Sequence, residues 1–248
     1  MTLIAQITDP HLRDDGAYPC HDPAEALRSA FARIAAMQDK PTAIVLTGDI
    51  IDRSAADYSP ALALLRQSPV PLLPLSGNHD SSAAFRAAFG DWAAYQPGHL
   101  SFVQRLGGIT LIGLDSNLPG GKGGVDDARL DWLAQVLADV QGPAILALHH
   151  PPFPTGAPHI DRQGFARADT FAALVADSPL RRVIAGHSHR GIQTQWAGIP
   201  ASTCGAIGYG QSLSLSGRQA HDPACMTPGY ELHLMRQGIC VTHQVALG

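Results

Sequence analysis

The sequence has few charged residues and no run of lysine or arginine. Charged residues make up 15% of its 248 positions, and the formal net charge is −4. A nucleic-acid-binding face needs clustered positive charge, so we expect no nucleic-acid polymer as a partner. The chain also lacks an apolar stretch of membrane-spanning length and a basic, apolar N-terminal leader pattern. We therefore expect no membrane association and no export signal, and we predict a cytoplasmic location.

Cysteine is scarce and scattered: Cys20, Cys204, Cys225 and Cys240 show no Cys-x-x-Cys spacing. Without an export signal, this pattern predicts free thiols, not disulfides. No internal repeat, low-complexity tract or domain linker divides the chain. Its length and its 45% hydrophobic content suffice for a large core. We predict one domain over residues 1–248, with a β-hairpin-rich C-terminal part from about residue 191.

Five short polar clusters stand out, each at the end of an apolar run. They are Asp9-Pro10-His11, Gly48-Asp49, Gly77-Asn78-His79-Asp80, His149-His150 and Gly186-His187-Ser188-His189. The apolar runs alternate with helical patterns, which predicts an α/β fold with a largely parallel, buried sheet. Such sheets bind ligands beyond the carboxyl ends of their strands. The five clusters are therefore expected to converge on one cleft.

The clusters are rich in carboxylate, amide and imidazole groups, which suit divalent iron or manganese, with zinc and cobalt as alternatives. Asp9 and His11 are two residues apart, so both point the same way on an extended strand end. Asp49 can bind one ion with each carboxylate oxygen, and Asn78 offers a neutral carbonyl oxygen. The donors are too many for one ion. Two divalent ions held side by side are a device for hydrolysing phosphoesters.

The motif order D-x-H, GD, GNH[DE], H and GHxH, found here between Asp9 and His189, resembles the calcineurin-like metallophosphoesterase superfamily. The stretch HHPPFPTG at residues 149–156 is similar to that of class III cyclic nucleotide phosphodiesterases and glycerophosphodiesterases. The resemblance implies a four-layer αββα sandwich, with two mainly mixed β-sheets packed face to face between helices. It also implies hydrolysis of a small phosphodiester, a cyclic nucleotide or a glycerophosphodiester, by a metal-activated hydroxide.

Carried over by position, the resemblance assigns ligands to two metal ions. The first ion would be held by Asp9, His11, Asp49 and His189. The second would be held by Asp49, Asn78, His149 and His187. Asp49 would bridge the two ions and is, with His79, a predicted catalytic residue.

His79 follows a ligand without being one, so we expect it to contact the phosphate or to protonate the leaving group. The alternative is a supporting imidazole paired with Asp80. Asp80 is expected to support the ligands. His150 is expected either to form a hydrogen bond into the core or to support a ligand. Weaker candidates on predicted loops are Arg13, His21, Asp52, Asn117, His159 and His221.

Three functions stay open. A phosphodiesterase is the first. A phosphomonoesterase or pyrophosphohydrolase would use the same fold and metals, because the pocket walls decide the substrate. The third, a non-catalytic interaction module, would be expected to lack ligands, and none is missing here. The motif loops carry little fixed positive charge beyond Arg13 and Arg190, which favours a singly charged diester over a monoester. A homo-oligomer is left open.

Overall fold

A five-stranded β-sheet forms one half of the computed structural model, which describes residues 1–14, 18, 20, 22–53, 57–216, 223–224 and 226–247. Its order is β15–β14–β1–β2–β3. The strands are β1 Thr2–Ile7, β2 Ala43–Thr47, β3 Leu72–Leu75, β14 Gly229–Arg236 and β15 Ile239–Ala246. Strands β1, β2 and β3 are parallel, and β14 and β15 form an antiparallel hairpin beside β1.

A six-stranded sheet of order β10–β11–β9–β8–β5–β4 forms the other half. The strands are β4 Phe102–Leu106, β5 Ile109–Gly113, β8 Ala144–Ala147, β9 Leu180–Ala185, β10 Ile192–Trp196 and β11 Ile199–Thr203. The four central strands are parallel, and the two edge strands pair with them antiparallel. Two short pairs lie outside the sheets: β6 Asn117–Leu118 with β7 Lys122–Gly123, and β12 Gly210–Gln211 with β13 Pro223–Ala224.

Helices connect the parallel strands. They are α1 Pro23–Ala36, α2 Ser59–Leu65, α3 Ser82–Phe89, α4 Asp127–Asp139, α5 Pro158–Asp161 and α6 Ala168–Val175. Helix α1 begins directly after Asp22, because the Asp22 carboxylate accepts a 2.8 Å hydrogen bond from the Ala24 N–H and Pro23 occupies the first turn. No helix in the described part of the chain is long and apolar enough to cross a membrane.

The hydrophobic core consists of three clusters, which lie between the four layers of helices and sheets. Helices α1 to α3 cover the outer face of the five-stranded sheet, where Leu27 and Phe85 pack in one cluster with Ile44. Helices α4 and α6 cover the outer face of the six-stranded sheet. A third cluster, with Val45 from one sheet and Leu111 from the other, fills the space between the sheets. The predicted four-layer αββα fold is confirmed.

Two segments rich in glycine and proline contain short regular elements. Strand β7 lies within residues 119–124, and helix α5 lies within residues 151–164. Elements this short carry no hydrophobic periodicity, which is why the sequence pattern did not reveal them.

The prediction of four free thiols is wrong at Cys20, which is disulfide-bonded. Cys204 and Cys240 are free, and Cys225 lies outside the described residues. Scattered spacing could not reveal the bond, because disulfide pairing depends on which loops meet in the fold. A disulfide is uncommon in a cytosolic protein.

Candidate metal centre

The proposed ligands lie in five loops at the carboxyl ends of β1, β2, β3, β8 and β9. Strands β1, β2 and β3 are parallel to one another in one sheet, and β8 and β9 are parallel in the other sheet. The carboxyl ends of each parallel set therefore lie at the same edge of its sheet. The two edges meet: the His187 N–H donates to Asp9 Oδ2 across 2.9 Å, although the residues belong to different sheets. The sequence clusters therefore lie around one cleft.

Three motif glycines allow the loops to approach this closely. An added Cβ at Gly48 would lie 2.4 Å from Nδ1 of His149, and one at Gly77 would lie 2.2 Å from Oδ1 of Asp49. At Gly186 it would lie 2.8 Å from Oδ2 of Asp9. Each distance is shorter than any normal contact, so only glycine fits at these three positions.

Five of the seven proposed ligands have left-handed backbone conformations. Their φ angles are +50° for Asp9, +44° for His11, +50° for Asp49, +68° for His187 and +54° for His189. Such a conformation costs of order 1–3 kcal/mol for a non-glycine residue and persists where a function requires it. The strain is concentrated on the residues whose side chains converge.

The first group of donors consists of Asp9, His11, Asp49 and His189, whose ligand atoms lie within 4.8 Å of one another. Nε2 of His11 lies 3.0 Å from Nε2 of His189 and 3.4 Å from Oδ2 of Asp49. Oδ1 of Asp9 lies 3.4 Å from Nε2 of His189. All four side chains are buried.

The second group lies on the other side of Asp49. Its Oδ1 is 3.5 Å from Nε2 of His149, and that nitrogen is 3.1 Å from Oδ1 of Asn78. His187 packs against His149 with 5.1 Å between the ring centroids. His150 also reaches this group, since His149, His150 and His187 have ring nitrogens close enough to share an ion. Asp49 therefore presents one oxygen to each group.

Hydrogen bonds orient the imidazole rings. Nδ1 of His149 lies 2.8 Å from the Thr47 carbonyl, and Nδ1 of His189 lies 2.8 Å from the Tyr209 carbonyl. A carbonyl only accepts, so both Nδ1 atoms carry the proton and both Nε2 atoms are left as lone-pair donors to a cation. Nε2 of His187 lies 3.2 Å from Oε1 of Gln163. By the same reasoning Nε2 of His187 carries the proton, and the lone pair of its Nδ1 is available to a cation.

The electrostatics of the site fit a cation. Oδ1 of Asp9 is buried without a hydrogen-bond partner. Burial opposes ionisation of Asp9, but His189 and His11 outweigh it and hold the pKa of Asp9 well below its usual range. Burial likewise opposes ionisation of Asp49, whose pKa is nevertheless lowered by His149 and His11. Burial lowers the pKa of His187 to about 3. Ionised carboxylates and a neutral imidazole are the forms that bind metal.

The family model described as "Calcineurin-like phosphoesterase" matches residues 2–191, which include all five polar clusters. The chain belongs to the calcineurin-like phosphoesterase family. The resemblance predicted from the motif order is confirmed, and the groups of histidine and aspartate described above are able to hold metal ions.

Two relatives by sequence match the branch predicted from the HHPP stretch. A "Probable cyclic nucleotide phosphodiesterase" of Rhodococcus erythropolis is 32% identical over 234 residues, which cover 90% of this chain and 77% of that protein. A "Probable glycerophosphodiester phosphodiesterase GpdQ" of Arcobacter nitrofigilis is 28% identical over 256 residues, covering 99% and 93%. The crystal structure of a dimetal phosphatase from Danio rerio has the same fold, with a TM-score of 0.76, 16% identity and coverage of 100% and 96%.

In this calcineurin-like chain, His79 lies beside the Asp49 carboxylate. Its backbone N–H donates to Oδ1 of Asp49 across 2.8 Å, and its Nε2 is 4.0 Å from Oδ2. The carboxylate that faces the other ring nitrogen is Asp52, at 3.6 Å from Nδ1, and not Asp80. Burial lowers the pKa of His79 to about 4, with Arg53 among the groups that act in the same direction.

Asp80 fastens the second and third motif loops together. It accepts hydrogen bonds from the hydroxyl of Tyr58 at 2.7 Å, the Gly77 N–H at 2.9 Å and the Ile50 N–H at 3.2 Å. Burial and the nearby Asp49 raise the pKa of Asp80 to about 6. Asn117 also holds the third motif loop, because its Nδ2 donates to the carbonyls of Gly77 and Asp80 at 2.7 and 3.4 Å.

The other weak candidates fall in different places. Nη1 of Arg13 lies 3.9 Å from Oδ2 of Asp52 at the edge of the cleft. Nδ1 of His150 lies 3.1 Å from the Ser116 hydroxyl, while its buried Nε2 has no partner. Nε2 of His159 bonds to Gln211 at 2.8 Å. His21 and His221 lie outside the described residues.

Two tyrosines form an aromatic wall that the sequence pattern did not reveal. The centroid of the Tyr209 ring lies 4.4 Å from that of His189 and 5.2 Å from that of His11. On its other neighbour, Tyr18, the ring centroid is 4.7 Å from that of Tyr209. The Tyr18 hydroxyl donates to Asp52 at 3.1 Å. Tyr209 follows no motif and belongs to an irregular segment, so no sequence signal identified it.

Proposed function

We propose that this protein is a binuclear-metal phosphodiesterase that hydrolyses small phosphodiesters. The observation that carries the proposal is the position of Asp49, whose Oδ2 lies 3.4 Å from His11 and whose Oδ1 lies 3.5 Å from His149. One carboxylate thus faces two separate imidazole groups, as a bridging ligand must. Both relatives reported above are named as probable phosphodiesterases, one for cyclic nucleotides and one for glycerophosphodiesters.

The proposed ligand sets are those given in the sequence analysis, with Asp49 shared between them. When bound, two divalent ions, proposed to be iron or manganese, would supply an activated water and stabilise charge on the phosphate. The protein supplies the geometry: hydrogen bonds from Thr8 and His187 fix Oδ2 of Asp9, leaving Oδ1 free. The carbonyls of Thr47 and Tyr209 fix the rings of their histidines.

His79 is the proposed catalytic side chain that is not a ligand. Its backbone is tied to Asp49, and Asp52 faces its Nδ1, so its Nε2 points toward the bridging carboxylate. From there the imidazole can contact a phosphate oxygen. It can deliver a proton to the leaving alkoxide if the bound phosphate anion raises its pKa from the value of about 4 that burial imposes. Asp52 acts through His79 and is a positioning residue.

A diester preference follows from the limited free positive charge in the cleft. Arg13 pairs with Asp52, and Nη1 of Arg190 donates to the Gln211 carbonyl at 2.8 Å. Arg53 is near enough to lower the pKa of His79 but is exposed. Among the residues that the structure describes, a monoester dianion therefore meets no preformed arginine clamp, whereas a diester monoanion needs none.

The test is a side-by-side activity screen of metal-reconstituted protein. Its substrates are cyclic nucleotides, glycerophosphodiesters, a bis-aryl phosphate and the matching aryl monophosphate. We expect a higher kcat/KM for diesters, after correction for intrinsic reactivity. Faster monoester hydrolysis favours the phosphomonoesterase alternative, and no hydrolysis by fully metallated protein favours the non-catalytic module. The cytoplasmic location and the single domain remain predictions.

A further inference from the structure

A cavity of about 190 Å³ lies between helix α5, the start of α6 and the stretch after β8. We call it the 150–168 pocket. Its apolar lining consists of Pro151, Pro152, Phe153, Pro154, Ile160 and Phe165. Proline loses no side-chain freedom on binding a ligand, and Phe165 is held by stacking on Phe171 at 5.7 Å. The walls are therefore largely preformed, as in small-molecule sites.

The pocket adjoins the second donor group of the metal centre. His187, a proposed ligand, and His150, which follows the proposed ligand His149, both line it. Gln163 also lines it and lies 3.2 Å from Nε2 of His187. A phosphate held at the metal centre would thus have one of its ester groups beside the mouth of this pocket.

The charge of the lining selects against ionic groups. The residues that line the pocket include no lysine or arginine, and Asp161 supplies their one carboxylate. Asp161 already accepts hydrogen bonds from the Thr155 N–H and hydroxyl, both at 2.7 Å, and from the Gly156 N–H at 3.0 Å. A substrate ammonium would find no unengaged counter-charge, and a substrate anion would meet Asp161. Burying either charge unpaired is costly.

We propose that the 150–168 pocket binds an uncharged ring system carried by an ester group of the phosphate, either an aryl ring or the base of a nucleoside ester, so that nucleoside or aryl diesters are preferred over glycerol diesters with charged headgroups. The inference rests on the proposed phosphodiesterase function. The volume agrees with a single ring system, because 190 Å³ is the share of about six water molecules at ~30 Å³ each. Nε2 of Gln163 donates one N–H to the His159 carbonyl at 3.4 Å, which leaves its second N–H for a polar contact with such a ring.

One other cavity, of about 460 Å³, lies beside Asn78 and contains the charged Asp80, Asp126 and Arg129. A second cavity, of about 580 Å³, adjoins His79 and combines apolar residues, among them Ile51 and Leu62, with the charged Asp52, Arg53 and Asp57. These charged groups distinguish it from the 150–168 pocket, in which Asp161 is the one carboxylate. This second cavity provides the matched control for an experiment, because Ala84 of helix α3 lines it as Ala168 of helix α6 lines the 150–168 pocket.

The experiment compares Ala168→Leu with Ala84→Leu, the same change on a helix at the rim of each cavity. For Ala168→Leu we expect the KM of a 3′,5′-cyclic nucleotide and of bis(4-nitrophenyl) phosphate to rise about tenfold or more, since a filled pocket excludes the ring. The KM of glycerophosphocholine should not change. Ala84→Leu should leave all three unchanged. Ala168→Val adds a smaller side chain and should raise the KM of the ring diesters by a smaller factor. The thermal midpoint of each variant shows whether it is folded.

The inference is overturned if Ala168→Leu affects ring and glycerol diesters equally or not at all, or if Ala84→Leu gives the ring-selective loss. It is also overturned if the wild-type protein hydrolyses glycerophosphocholine as efficiently as the ring diesters, while the phosphodiesterase function still stands. Failure of the wild-type protein on every diester overturns the proposed function itself, so the two failures are distinguishable.

Discussion

Gly77→Ala tests whether the bridging position of Asp49 depends on close packing of two loops. Gly77 has no side chain where the Asp49 carboxylate lies, and an added Cβ would be 2.2 Å from Oδ1 and 2.5 Å from the backbone nitrogen of Asp49. Real Cβ atoms essentially never come closer than 3.0 Å, so Oδ1 must retreat by at least 0.8 Å, the difference of 3.0 and 2.2 Å.

The effect on activity should be large. A misplacement of about 1 Å in a catalytic site costs on the order of 10²-fold in rate, and the carboxylate here is the group shared by both donor sets. We therefore expect kcat to fall about 100-fold. Overpacking of a tight site costs typically about 1–3 kcal/mol, so the free energy of unfolding should fall by a similar amount.

The assay measures turnover of bis(4-nitrophenyl) phosphate, bound metal by elemental analysis and the thermal midpoint. Gly98→Ala is the matched control, because an added Cβ there meets no atom within 4 Å. It should leave all three measurements unchanged. If Gly77→Ala keeps the turnover and metal content of the Gly98→Ala control, the close approach of the two loops does not fix the bridge.

Three further substitutions probe His79, Asp52 and His233. His79→Ala should keep both metals and lower turnover by about 10²–10⁴-fold, less for a good aryl leaving group; an equal loss for all leaving groups favours phosphate positioning. Asp52→Asn should lower kcat with little change in KM, since Asp52 faces the ring of His79; unchanged kcat contradicts this. Burial lowers the pKa of His233 to about 3, so the unfolded state binds more protons between that pH and 6.5. The free energy of unfolding therefore falls by about 1.4 kcal/mol per pH unit on acidification. His233→Gln should reduce this slope in acid denaturation, and an unchanged slope refutes the assignment.

The positions of the proposed metal ligands were predictable because each lies next to an apolar run that becomes a buried parallel strand. Asp9 follows β1, Asp49 follows β2 and His187 follows β9, so the hydrophobic pattern alone indicates that these side chains lie at the carboxyl ends of strands. The glycines beside these ligands were visible in the sequence. The structural reason for these glycines was not visible in the sequence, because the atom that an added Cβ would meet belongs to another loop.

The groups that orient the ligands could not be predicted in the same way. Gln163 and Tyr209 reach the rings of His187 and His189 from irregular segments far along the chain. The partner of the His79 ring was expected to be its neighbour Asp80, yet the fold turns Asp80 toward Tyr58 and brings Asp52 to the ring. Such pairings depend on loop geometry, which carries no sequence periodicity.

The number of metal ions in fully active protein tests the central claim most directly. Elemental analysis of metal-reconstituted protein, run beside turnover of bis(4-nitrophenyl) phosphate, should give two ions per chain. Asp49→Ala should lose at least one ion and nearly all activity, because both donor groups share this carboxylate. Full activity with a single ion per chain would contradict the two-metal account.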